Sequence, residues 1–465
     1  MHPVLQDDLR ALPELLNLAR DSALHSLLKL AEQPVAIHPL PSVGPLERSV
    51  EPGAAAALCL FEARWLPRLA ASAGPRYLGF VTGGATPASL VGDWLTSALD
   101  QNPTAGWDSE APELERQTVR ELAGWFGLGA AHEGAFVSGA TMSNFVGLAI
   151  AREWLGEQQG VRVSEVGVAA LGPVTVLSGA AHSSIHKALS MLGLGRQAVQ
   201  KLATQPGREA VDLQALEAAL QAQQGRPVIV VANAGTVNSG DFDDLRAIAA
   251  LRQRYPFWLH VDAAFGAFAA LDARLASQVA GLDAADSVCV DCHKWMNVPY
   301  DSALQFTRHR ALQLRVFQNA AAYLGEPGER PDFVHLTPEN SRRWRALAAW
   351  FAVQAYGREG QADIVARNID CARLLGDLVA ADETLELLAP VRLNIVCFAV
   401  RGMTTQAEVQ ALLERLRDRG EAFLTPTLYA GRWAIRAAFS NWRTSADDVR
   451  RVHKALRAAL KADQP

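Results

Sequence analysis

The residues best placed to do chemistry lie in one stretch, Asp286-Ser287-Val288-Cys289-Val290-Asp291-Cys292-His293-Lys294-Trp295. Residues 287–290 have the pattern of a buried strand, and the polar turn after them presents a lysine. Met296, Val298 and Pro299 keep the following segment partly apolar. Desolvation among such neighbours lowers a lysine pKa, which makes Lys294 a candidate nucleophilic amine.

Other apolar runs end in side chains that complement an amine. Leu259-His260-Val261-Asp262-Ala263-Ala264 places an acid at a strand end, where a buried carboxylate needs a positive partner. Ser178-Gly179-Ala180-Ala181-His182-Ser183-Ser184 brings hydroxyls and a histidine, and Ala234-Gly235-Thr236 another hydroxyl. Ser138-Gly139-Ala140-Thr141-Met142-Ser143-Asn144 leads into an amphipathic helix; its small and hydroxyl residues suit an anion at a helix N-terminus and equally an ordinary cap.

An amine, an anion site, an acid, a flat side chain and a small one together match the needs of pyridoxal phosphate. The amine holds it as an imine, the acid keeps its pyridine nitrogen protonated, and the other two bracket the ring. Lys294, Thr141, Asp262, His182 and Ala264 supply these roles. On Ala181-His182-Ser183-Ser184, His260-Val261-Asp262-Ala263-Ala264 and Ala285-Asp286-Ser287 through His293-Lys294-Trp295, the chain resembles the pyridoxal-phosphate-dependent amino acid decarboxylases of the aromatic L-amino acid, glutamate and tyrosine group. The resemblance runs over roughly residues 60 to 460.

The resemblance implies a fold-type-I enzyme that removes the α-carboxylate of an L-amino acid through a Schiff base on Lys294. His182 would stack on the ring and shuttle protons, Asp262 would pair with the pyridine nitrogen and Ala264 would pack on the opposite face. Thr236 would neighbour the ring, with Ala140, Thr141 and His293 at the phosphate. A homodimer with shared active sites is implied too.

Rival readings of the same residues are weaker. Cys289-Val290-Asp291-Cys292-His293 fits the haem-attachment pattern, but it falls on an expected core strand in a chain without an export signal. As half of a zinc site, Cys289 and Cys292 lack a second pair. His182 and His186 share a helix face without the acid of a metalloprotease between them, and Asp241, Asp243 and Asp244 read as a capping, solvated stretch.

Downstream, residues 318–340 are polar, rich in Gly and Pro, and without period. The resemblance implies a mobile catalytic loop here with a proton-donating tyrosine. The matching position is Phe333, which has no proton to give, leaving Tyr323 or His335 as substitutes. That exchange opens an aldehyde-forming oxidative route beside amine formation; an aminotransferase or other lyase of the same fold and a non-catalytic relative also remain open. Arg436 interrupts an apolar strand and requires a carboxylate, from the protein or from the substrate; a matching arginine in glutamate-type relatives favours the substrate. Thr82, in the glycine-rich turn of residues 80–87, is either turn chemistry or a substrate contact, and Phe80 and Trp107 are candidate pocket walls.

The elements that must position these groups alternate between about residues 115 and 310, which indicates an α/β architecture with a largely parallel sheet. Strands are expected at 134–137, 174–177, 228–231, 258–261 and 287–290, and helices at 142–154, 184–191, 213–222 and 244–255. A helix is expected over 341–357, then an α+β region with strands at 393–400 and 433–439. The domain reading is an N-terminal helical segment (1–75), a large domain (76–345) and a small C-terminal domain (346–465). Leucines from Leu12 to Leu28 form a stripe for the large domain or a second subunit, followed by a connector with Pro34, Pro39, Pro41 and Pro45. A net charge of −5, with no basic–aromatic clusters, argues against nucleic acid and anionic membranes. Without a signal-like N-terminus or a run long enough to cross a bilayer, and with five cysteines read mostly as reduced core residues, the expected setting is the cytoplasm.

Overall fold

The computed structural model describes residues 1–37, 51–319, 327–328 and 330–461. Pro39, Pro41 and Pro45 of the connector and Tyr323 lie outside these residues. The principal sheet contains β1 (Glu133–Val137), β2 (Val176–Ser178), β3 (Val199–Lys201), β4 (Val228–Asn233), β5 (Phe257–Asp262), β6 (Ser287–Val290) and β7 (Ala303–Thr307), in the order β1-β7-β6-β5-β4-β2-β3. From β3 across to β6 neighbouring strands run parallel, while β7 pairs antiparallel with both β6 and β1. This is the α/β fold expected from the alternation of elements.

Strands β4 and β5, inside the parallel part of the sheet, are buried along their whole length, which is why they read as largely apolar runs rather than alternating ones. All five expected strands form. Two others gave little signal: β3 is a short polar edge, and β7 carries a glutamine that is buried and bonded to Gln313 Nε2.

Helix Ala140–Gln158 begins immediately after β1, and helix Ser183–Met191 after β2. The second is capped by His182, whose side chain accepts from Ser184 N. Beyond β7, the helix expected over 341–357 starts at Ala346 and runs to Ala380, broken at Gly357, where φ is 59°. Its first part packs along helix Pro87–Leu99; Gly92 allows this, since a Cβ there would come 2.9 Å from the Ala348 Cα.

A second, antiparallel sheet contains β8 (Leu385–Leu387), β9 (Ile395–Val400), β10 (Thr425–Tyr429) and β11 (Arg432–Ala438), ordered β10-β11-β9-β8. Leu78, from far earlier in the chain, joins its core and exchanges backbone hydrogen bonds with Phe423 and Ala438 (both 2.9 Å). The N-terminal helices Pro3–Arg10, Leu12–Leu28 and Ala54–Arg64 bury no residue, leaving Leu5, Leu9, Leu16, Leu18, Leu24 and Leu28 exposed. Cys289, Cys292, Cys371 and Cys397 are free and buried; Cys59, also free, is exposed, contrary to a core role. Among the described residues, no helix is long and apolar enough to cross a membrane.

Candidate functional site

The carboxyl ends of β4 and β5, with the turns after β1, β2 and β6, open on a cavity of about 410 Å³. Lys294, His182, Asp262, Ala264 and Thr236 all line it. So do Ala140, His293, Thr82 and Arg436, whereas Thr141 does not and is half-buried one step into its helix. Phe80 lines the cavity as expected; Trp107 does not and is 63% exposed.

Lys294 sits on a tight turn that presses against the Thr82 segment: a Cβ on Gly83 would fall 1.7 Å from the Lys294 carbonyl oxygen, so only glycine fits. The Lys294 Nζ lies 3.3 Å from Asp291 Oδ2. Burial draws the ammonium pKa down, but Asp291 and Asp262 outweigh it, and the net shift is upward. The expectation of a lowered amine pKa is therefore corrected: these two carboxylates hold the lysine charged. Asp291 Oδ1 also lies 3.1 Å from His293 Nε2, and Oδ2 accepts from the Ala140 N–H at 3.3 Å, tying the lysine turn to the start of helix Ala140–Gln158.

Asp262, 7% exposed at the end of β5, accepts from Asn144 Nδ2 (3.0 Å) and the Ala264 N–H (3.2 Å). His182 Nδ1 is approached by Ser184 N (3.3 Å) and Ser184 Oγ (2.8 Å). Burial lowers the His182 pKa; Asp262 opposes this, Lys294 and Arg436 add to it, and the net effect favours the neutral ring.

Arg436, on β11, gives Nη1 to the Val237 carbonyl (3.0 Å), and its buried Nε has no protein partner. No carboxylate among the described residues forms a salt bridge with it. The loop it reaches is organised by Glu209, which accepts from Thr236 Oγ1 (2.6 Å), Ser239 Oγ (2.7 Å) and Asn238 Nδ2 (3.0 Å). Tyr77, stacked on Phe423, and Tyr300, whose ring lies 4.3 Å from that of His293, complete an aromatic rim. Sequence reasoning missed both tyrosines, as well as Asp291 and Asn144. Asp291 was detectable only by its place three residues before the lysine, and Asn144 only by its helical spacing of four from Ala140.

Other expectations resolve differently. Phe333 does not face the cavity; it is 1% exposed, between the guanidinium groups of Arg116 (5.2 Å) and Arg342 (4.7 Å). His335 is buried beside it and accepts from Asn319 N, away from the cavity. His186 diverges from His182 toward the Arg196 carbonyl. Asp241 pairs with Arg208 and Arg392, while Asp244 caps helix Leu245–Ala250.

The donor set fits pyridoxal phosphate: an amine and a carboxylate, a histidine and a small Ala264 share one cavity, and the turn of Gly139 and Ala140 opens a helix at its edge. The model of the pyridoxal-dependent decarboxylase conserved domain matches residues 65–401. An aromatic-L-amino-acid decarboxylase of Bacillus atrophaeus is 27% identical over 399 residues, covering 83% of this chain and 81% of the relative. The Drosophila simulans protein of the same name is 31% identical over 284 residues, covering 60% of this chain and 54% of that longer relative. The Oryza sativa TDC structure with PLP and tryptamine superposes with a TM-score of 0.89 at 22% identity, covering 99% of each chain. The chain belongs to the pyridoxal-dependent decarboxylase family, so its cofactor is pyridoxal 5′-phosphate and its reaction class is that of a carboxy-lyase.

Proposed function

We propose that the chain decarboxylates an aromatic L-amino acid to its amine, with Lys294 as the amine that carries the cofactor. The observation that carries this reading is the convergence of Lys294, Asp262, His182 and Ala264 on one cavity. Bound pyridoxal phosphate supplies an aldehyde that captures amines and a ring that accepts the electron pair left by departing carbon dioxide. Asp262 would face the pyridine nitrogen, His182 and Ala264 would bracket the ring, Thr236 would lie beside it, and Ala140 and His293, which line the cavity where Thr141 does not, would hold the phosphate. Arg436, which lines the cavity and has no carboxylate partner among the described residues, takes the substrate α-carboxylate, and Thr82 borders the substrate. Two lining groups carry a proton that can reach the α-carbon: His182 at Nε2 and the Lys294 ammonium.

An aromatic side chain suits the rim of Tyr77, Phe80, Phe265 and Tyr300. Asp262 is the sole acid among the lining residues, so a cationic side chain would find no carboxylate of its own there. The name of the Bacillus relative supports the same substrate class. The exposed leucine face of the N-terminal helices supports association into a homodimer, and the reading takes the active sites to be shared and the protein to be cytoplasmic. In this reading the chain divides into a helical segment (1–75), a cofactor-binding domain (76–345) and a small domain (346–465).

The test is to incubate the purified protein with pyridoxal phosphate and each common L-amino acid, and to identify products by mass spectrometry. Amines from aromatic substrates are expected, with turnover and the imine absorbance both lost in Lys294→Ala. Aldehyde with hydrogen peroxide, or an unaffected Lys294→Ala variant, would overturn the proposal.

A further inference from the structure

Asn144 is fully buried where hydrogen bonds from β5, β6 and the His182 turn meet. Its Nδ2 lies 3.0 Å from Asp262 Oδ2 and 3.1 Å from Ser184 Oγ, and its Oδ1 lies 2.9 Å from His260 Nε2. His260 Nδ1 continues to Ser287 Oγ (2.8 Å), which also receives the Trp258 indole N–H (2.9 Å). A glycine makes room for this: a Cβ on Gly147, one turn along the helix, would sit 2.8 Å from the His260 ring.

The proton positions follow from the ends of the network. An ionised carboxylate only accepts, so Asn144 must turn its amide nitrogen to Asp262 and its oxygen to His260. His260 then carries its hydrogen on Nε2 and takes a bond from the Ser287 hydroxyl at Nδ1, which leaves Ser287 free to accept from the donor-only indole. Burial agrees, holding the His260 pKa down to about 4 and the ring neutral. On the other branch, the Ser184 backbone N–H donates to His182 Nδ1 and makes that nitrogen an acceptor, and Ser184 Oγ, which accepts from Asn144, gives its own hydrogen to the same nitrogen. His182 is left with its hydrogen on Nε2.

We propose that Asn144 is a positioning residue that ties the two ring-facing groups to one protonation pattern, Asp262 as acceptor and His182 as the Nε2–H tautomer. The inference rests on the reading that Asp262 and His182 flank the pyridine ring. It adds that they are set together by one amide rather than independently.

The experiment compares the full-length protein with Asn144→Leu and Ser184→Ala. The His182 tautomer is read by ¹⁵N NMR of histidine-labelled protein without cofactor, and retention of pyridoxal phosphate by equilibrium dialysis of the holoenzyme. Asn144→Leu is expected to mix the His182 tautomers and to weaken retention by about tenfold or more, the effect of one charge-assisted hydrogen bond. Ser184→Ala should disturb the tautomer and leave retention within about twofold, because it does not touch Asp262. A folded Asn144→Leu protein with wild-type tautomer and retention overturns the proposal, as does equal loss of retention in both variants. If circular dichroism shows Asn144→Leu unfolded, the smaller Asn144→Ser carries the same comparison. Asp262→Ala separates the two readings: wild-type retention in that variant defeats the placement of the ring and leaves the tautomer result for Asn144 standing.

Discussion

Lys294 Nζ and Asp291 Oδ2 lie 3.3 Å apart, and the carboxylate belongs to a side chain that is almost wholly buried. Burial pushes the Asp291 pKa up, but Lys294 and His293 more than reverse this, so the carboxyl lies below its ordinary range. Only the unprotonated amine attacks an aldehyde, so this ion pair controls when the lysine becomes reactive.

Replacing Asp291 with asparagine removes the closest charge that raises the Lys294 pKa. The pH at which cofactor-free protein captures pyridoxal phosphate, followed by imine absorbance, should fall by on the order of one unit. The linked stability has a defined sign on each side. For Lys294, with its pKa raised in the folded state, stabilisation is full below the ordinary lysine pKa and is lost as pH rises through the higher folded value. For Asp291, with its pKa lowered, stabilisation is present above the ordinary carboxylate range and is lost as pH falls through the folded value. Denaturant unfolding should therefore show the largest gap between wild type and Asp291→Asn across the intervening neutral window. A constant gap at all pH values would contradict the pairing.

Arg436→Leu should raise KM for the amino acid by roughly 10- to 100-fold, the loss of one charge-assisted contact. Cofactor retention should not change. The methyl ester of the same amino acid, which lacks the carboxylate, should inhibit wild type and variant equally. A variant with unchanged KM would place the carboxylate elsewhere.

Phe333→Tyr should leave the ratio of amine to aldehyde unchanged, because the ring is clamped between Arg116 and Arg342 rather than turned to the cavity. The added hydroxyl enters a buried site, at a cost of about 1–3 kcal/mol if it finds no partner. Product analysis and denaturant unfolding on the same sample check both statements, and a shift toward amine would reinstate Phe333 in the reaction.

Leu16 and Leu24 are 61% and 49% exposed on a helix that buries nothing within the chain. Leu16→Glu with Leu24→Glu should convert a dimer to a monomer in sedimentation velocity and lower turnover, while leaving the folded core intact by circular dichroism. A dimer that persists in this variant would show that the leucine face is not the interface.

What could be read from sequence was set by distance along the chain. Asp262 and Lys294 each follow an apolar run that ends in a polar turn, so the strand ends gave them away, and His182 was visible in the same manner. Arg436 stood out as a charge inside an apolar strand. The Lys294 pKa was misjudged because its apolar neighbours are adjacent in sequence, while the opposing charges of Asp291 and Asp262 reach it across a turn and from another strand. Asn144 was hidden because its role depends on His260, Asp262 and Ser184, each on a different element. The surroundings of Phe333 were not legible because Arg116, which closes over its ring with Arg342, lies more than two hundred residues earlier in the chain.

The far wall of the cavity comes from the last strands: Arg436 lies on β11, and Leu78 is held beside Tyr77 by Phe423 and Ala438. During synthesis from the N-terminus, Lys294, Asp262 and His182 therefore leave the ribosome well before the wall that faces them. A chain arrested before residue 423 would contain every group assigned to the cofactor, yet lack the arginine assigned to the substrate carboxylate. The groups assigned to the cofactor and the arginine assigned to the substrate carboxylate are thus made in that order, and the cavity gains its full lining only once β11 has been synthesised.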